Sequence, residues 1–187
     1  MKIGSERMNH WARNLLGFFE VMCGIGVPCM LFVTVGILVG IMSNDAEFME
    51  VCQYVFPRMP DSPGAAAILM LVFCVASVAA MALSARAWHD LRLVFDTSAG
   101  KTKASVGPTP FQEENVRLLR DAGRCILISQ VANIAFSGML FAFGDQTKSV
   151  TSLCSSIGLL TFGLCIFCLA QFFAYGIQLQ LDSDGLV

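Results

Sequence analysis

Four stretches of the chain carry almost no polar residues: Val21 to Met42, Gly64 to Ala85, Cys125 to Gly144 and Val150 to Leu181. Each reaches the roughly 20 apolar residues a helix needs to cross a bilayer. None keeps the polar face at helical period that a soluble helix would show. With their flanking turns, they predict membrane helices over 15–42, 64–95, 109–144 and 150–181, with a linker at 96–108. The expected fold is all-α: a polytopic membrane protein, a four-transmembrane-helix bundle forming one domain over 1–187, with a cytosolic loop between helices two and three.

The start of the third helix is encoded most plainly. Thr109 followed by Gln112 reads as a capping box, in which the hydroxyl accepts an amide proton and the glutamine reaches back to the cap. Pro110 then falls at the first helical position, where a missing N–H costs little. Glu113 and Glu114 suit the positive end of the helix dipole, and Glu113 to Arg117 is an i,i+4 pair. A helix starting at Thr109 is expected to run on into the membrane.

Composition agrees with this pattern, since 56% of the 187 residues are hydrophobic and 14% charged, too apolar for an ordinary soluble domain. The net charge of −2 says little, but its distribution says more. Ten of the 12 basic residues flank the first helix or lie between the second and third, leaving only Arg58 and Lys148 for the other loops. By the positive-inside rule, both termini and the middle loop are expected in the cytosol, as in a multi-pass protein of an inner membrane. The first apolar run is too long for a signal-peptide core of roughly 7–15 residues and is expected to persist as a helix.

Small residues mark close helix packing: Gly36 and Gly40 in the first helix, and Ala76, Ala80 and Ser84 in the second. Gly24, Gly26 and Pro28 are expected to loosen or kink the first helix. In the outward loop, Ser43 to Pro63, the residues Phe48, Tyr54 and Phe56 are expected on the membrane surface. Residues 97–108, rich in Gly, Ser, Thr, Lys and Pro, read as a flexible linker. Gly100-Lys101-Thr102 lacks the preceding glycine and strand of a phosphate-binding loop.

Candidate chemistry is sparse. Glu20 lies about one turn inside the membrane boundary, where a carboxylate is a functional-site candidate by default. Arg13, two turns earlier, is its expected partner; the sharper reading is a transporter glutamate. Gln130, with Ser129, Asn133 and Ser137, gives the third helix a polar stripe, and the fourth supplies Ser155, Ser156, Thr161 and Gln171. Hydrogen bonding between helices is the plain reading, and a polar solute path is the alternative. His89 beside Asp90 suggests an interfacial hydrogen bond. His10 and His89, the only histidines, provide no facing haem ligands. Six of the eight cysteines fall in apolar runs, where Cys165 and Cys168 have the spacing of a redox pair but not its surroundings. Cys52 and Cys154 are the one pair that could form a disulfide, given an oxidising compartment. No enzyme, metal site or cofactor is expected.

Pro110-Phe111, Glu114-Asn115, Leu119-Arg120 and Gly123, followed by a membrane helix, resemble the signature of a family of bacterial four-helix membrane proteins. The family is catalogued as domain of unknown function twenty-nine seventy-five. Ala170, Phe173, Gly176, Leu179, Asp182, Asp184 and Val187 resemble its closing motif, although Ala174 and Leu186 depart from it. The resemblance spans about Ser105 to Val187. Family members are often encoded beside a very small helix-turn-helix regulator. The resemblance therefore implies a membrane partner that holds or releases a cytosolic DNA-binding protein, with no nucleic acid bound directly. Phe111, Glu114, Asn115 and Arg120 are then expected to form a cytosolic interaction site with the acidic tail, Arg120 or Arg124 meeting Asp182 or Asp184. The alternative is a small-solute transporter or channel using Glu20 and the polar stripe. Membrane lipid and a second copy of the chain are the other expected partners.

Overall fold

The computed structural model describes residues 2–56, 58, 63–105, 109–143 and 146–184 and, within them, every side chain but those of 2–9, 53, 63, 146–148 and 184. All regular structure among these residues is helical: α1 (Lys2–Ser43), α2 (Ala46–Val55), α3 (Pro63–Ser98), α4 (Glu113–Phe143) and α5 (Gln146–Asp184). Four of the five are long and apolar enough to cross a membrane, the architecture of a multi-pass membrane protein. α1 runs continuously from Lys2 to Ser43 with Pro28 inside it.

The chain forms two compact units, each drawing on all four long helices. The first contains residues 1–22, 83–127 and 160–187, and so holds both terminal segments and the middle loop. Ten of the 12 basic residues fall in it, against nine of the 14 acidic ones. The second contains residues 23–82 and 128–159, with two basic and five acidic residues. The chain segments that the charge pattern assigned to one side thus belong to one unit.

The core of the first unit is made by α3, α4 and α5. Ala87, Leu91 and Val94 recur at helical spacing on α3, facing Leu118, Leu119, Ala122 and Ile126 of α4 and Ile166 and Ala170 of α5. Ala87, Ala122 and Ala170 are each fully buried, so one small side chain on each helix permits close backbone approach. Gly123 extends this contact: an added Cβ would lie 2.7 Å from the Phe167 ring and 3.4 Å from the Gly163 carbonyl oxygen. From α1 this core receives only the partly buried Leu16.

In the second unit the outward loop is not a surface layer. Asn44, in the left-handed region at φ 52°, turns the chain, and the Asp45 side chain accepts the Glu47 amide to cap α2. That helix turns Cys52 and Phe56 inward onto Ala66 and Ala67, with Phe136, Leu140 and Phe143 alongside. Phe48 packs against Gly40, so this glycine of the small-residue pair receives a ring, not another helix backbone. Phe48 and Phe56 therefore depart from the expected surface position, whereas Tyr54 is 83% exposed. Pro57 and Pro60 lie outside the described residues. Cys52 and Cys154, the pair that could form a disulfide, are both free: the buried Cys52 thiol donates to the Met70 sulfur at 3.7 Å, while Cys154 is exposed.

Gly123→Ala is expected to destabilise the protein by about 1–3 kcal/mol through overpacking. Gly138→Ala, with open space around it, should be neutral or stabilising by up to about 1 kcal/mol. Thermal unfolding in detergent measures both.

Candidate functional site

The first unit gathers most of the chain's charged residues, and its architecture begins where α3 ends. Gly100 takes φ 73°, its amide bonds the Thr97 carbonyl at 3.0 Å, and the Lys101 amide bonds that of Asp96 at 2.9 Å. This is a Schellman cap, the structural use of a glycine that superficially suggested a phosphate loop. The segment read as a flexible linker is instead hydrogen-bonded where described. Ser105 Oγ and Gln112 Nε2 both donate to the Thr97 carbonyl, and Gln112 also reaches the Thr109 carbonyl at 2.6 Å.

Consequently α4 starts at Glu113, four residues later than expected. Thr109 Oγ1 accepts from the Phe111 amide in a local turn, and the glutamine binds the threonine carbonyl, so no reciprocal capping box forms. Gln112 is drawn inward because Thr97 and Ser105 offer acceptors there, and the helix begins only once its side chain is placed. Asn115 completes the anchor: fully buried, it donates to Ser98 Oγ and to the Pro110 carbonyl, each at 2.9 Å. Its own Oδ1 is buried without a hydrogen-bond partner. Phe111 lies on Gly176 and 5.7 Å from the Phe173 ring, tying the same segment to α5.

Ion pairs tie α1 to α3. Arg13 contacts Asp96 at 3.2 Å, and Glu20 contacts His89 at 2.9 Å and Arg92 at 3.1 Å. Phe19 stacks on Trp88 at 5.2 Å beside them. Two expectations change here. Arg13 is not the partner of Glu20, because residues on α3 are closer, and His89 turns to Glu20 instead of Asp90. Asp90 lies 3.8 Å from Arg86 with one buried oxygen lacking any hydrogen bond. Arg92 and Asp96 were missed, although complementary charges at 13 and 20 and at 89, 92 and 96, all just beyond apolar runs, were the signal.

On α4, Arg117 pairs with Glu114 at 2.6 Å, not with Glu113, and Arg124 pairs with Asp121 at 3.4 Å. Arg120 has no ion pair among the described residues. Two grooves border this helix. One, of about 560 Å³, runs between α4 and α5 and includes Arg117, Arg120, Arg124, Ile177 and Leu181. The other, of about 460 Å³, lies between α3 and α4 and includes Arg86, Asp90, Glu114 and Asp121.

The expected interaction site is therefore split. Phe111 does meet the closing segment at Phe173 and Gly176, while Asn115 is an internal anchor and Glu114 is paired within its own helix. Asp182 is exposed and contacts neither Arg120 nor Arg124 among the described residues. The Asp184 side chain and Val187 lie outside the described residues.

The polar stripe belongs to the second unit and is hydrogen-bonded within it. Ser137 Oγ bonds the Asn133 carbonyl and Ser152 Oγ, and Ser149 donates to the Ser137 carbonyl, joining α4 to α5. Asn133 donates to Gln130, which donates to Ser129. Gln171, in the first unit, is exposed on α5.

No family model, curated protein or solved structure matches this chain.

Asn115→Ala is expected to cost about 1–3 kcal/mol through the loss of two buried hydrogen bonds. It should also release the segment before α4, speeding tryptic cleavage after the exposed Lys101 and Lys103. Limited proteolysis of the purified protein reads this directly.

Proposed function

We propose that the protein is a membrane-embedded interaction protein whose first unit faces the cytosol and docks a soluble regulatory partner. The observation that carries this reading is the hydrogen bonding of the segment between α3 and α4, at residues 99–105 and 109–112. These parts are held from inside by Gln112 and Asn115, and Lys101, Lys103 and the 42% exposed Phe111 are accessible on them. Two cations and an aromatic ring on a hydrogen-bonded backbone lose little entropy on binding and suit an acidic partner surface. The excess of basic residues in this unit supports its cytosolic orientation, and hence an inner-membrane location with both termini inside.

The resemblance to domain of unknown function twenty-nine seventy-five names the partner class: a very small helix-turn-helix regulator held at the membrane. The transporter alternative has less support, since Glu20 is engaged by two side chains and the stripe's Ser137 hydroxyl is bonded to Ser152 of α5. Catalysis has no place in this reading, because no group poised for proton or acyl transfer is part of the presented surface.

The double variant Lys101→Glu, Lys103→Glu should lose a small DNA-binding protein that co-purifies with the wild type in gentle detergent. Mass spectrometry of the two preparations decides, and an unchanged partner set would refute the reading. Because both lysines are exposed, the variant should keep its thermal stability within about 0.5 kcal/mol.

A further inference from the structure

The groove between α4 and α5 combines features that seldom occur together on a soluble surface. Its α4 wall carries Arg117, Arg120 and Arg124 at i, i+3 and i+7, three cations against the two carboxylates of Glu113 and Asp121, and its floor is apolar, with Val116, Ile177 and Leu181. Two of the arginines are partly neutralised by Glu114 and Asp121, whereas Arg120 has no ion pair among the described residues. A guanidinium beside an apolar floor favours a ligand that is anionic at one end and apolar at the other.

The register of the two helices shows where such a ligand would come from. The Phe111 ring rests on Gly176, and the charged first turns of α4 share a groove with residues 174–181 of α5. The last apolar turns of α5 thus lie level with the charged turns of α4. On that stretch of α5, Leu181, which itself lines the groove, is 66% exposed. An exposed apolar side chain at this level belongs against acyl chains, which places lipid beside the arginine row.

We propose that this groove binds the phosphate of an anionic phospholipid, with Arg120 as the principal contact and Arg124 beside it. Ile177 and Leu181 take up the glycerol and first methylenes of the acyl chains. Basic pockets between membrane helices at the cytosolic boundary hold acidic headgroups by this combination of charge and apolar contact. The site is independent of the partner-docking segment and requires only that the helices be embedded in a bilayer.

Native mass spectrometry of the full chain in detergent tests the proposal, with titration by phosphatidylglycerol or phosphatidylcholine and competition by inorganic phosphate. Phosphatidylglycerol should bind at least about tenfold more tightly than phosphatidylcholine, and Arg120→Gln should weaken it about fivefold. Lys101→Gln removes the same charge elsewhere in the unit and should leave binding unchanged. The proposal is overturned if the two lipids bind alike, or if Lys101→Gln acts like Arg120→Gln, which would indicate diffuse attraction only. Displacement of the lipid by an equal concentration of inorganic phosphate would likewise overturn it in favour of a free-phosphate site. Should Arg120→Gln unfold at the wild-type melting temperature minus several degrees, Arg124→Gln is read instead, and unchanged affinity in that variant would contradict the assignment.

Discussion

Helix α1 has little apolar burial to fix its position. Only 6% of its most hydrophobic stretch is buried, against 22% in each of the other three long helices. In a bilayer its exposed leucines, valines and phenylalanines gain nothing from choosing a neighbouring helix over lipid, since acyl chains are equally apolar. What distinguishes one placement from another within the first unit is polar: Arg13 on Asp96, and Glu20 on His89 and Arg92. These contacts fix both rotation and height on α3, because the two α1 residues are two turns apart and their partners run in the opposite direction. The three-helix core of α3, α4 and α5 depends on a different device, a fully buried alanine on each helix.

The number of membrane-length helices, helix type and the gathering of both terminal segments with the middle loop were legible in the sequence. Apolar run length and the placement of arginine and lysine are one-dimensional signals that survive folding. The start of α4 was not legible, because Gln112 has acceptors on Thr97 and Ser105 that no local rule sees. A capping box is a four-residue argument, and a tertiary hydrogen bond from an earlier helix outcompeted it. The same holds for α2, which lies in a stretch read as a surface loop: the inward turn of Cys52 and Phe56 depends on Ala66 and Ala67 being small enough to receive them.

Of the candidate site residues, Phe111 and Asn115 serve in assembly: with Gly123, Ala170 and Gly176 they hold the polar segment and α4 in place within the first unit. Lys101 and Lys103 remain exposed around them, and Arg120 is half-buried. Glu20 illustrates the complementary case. A carboxylate near the membrane boundary was flagged as functional, and its two partners on α3, His89 and Arg92, supply a structural reason for its presence.

The central claim is that α1 is positioned by its charge contacts with α3, and a double-mutant cycle over Glu20→Gln and Arg92→Gln tests it most directly. Thermal unfolding of the four proteins in detergent should give a coupling energy of at least about 0.5 kcal/mol, each single change costing nearly as much as both together. If the two costs simply add, within about 0.3 kcal/mol, the contact does not hold the helix and the account is contradicted.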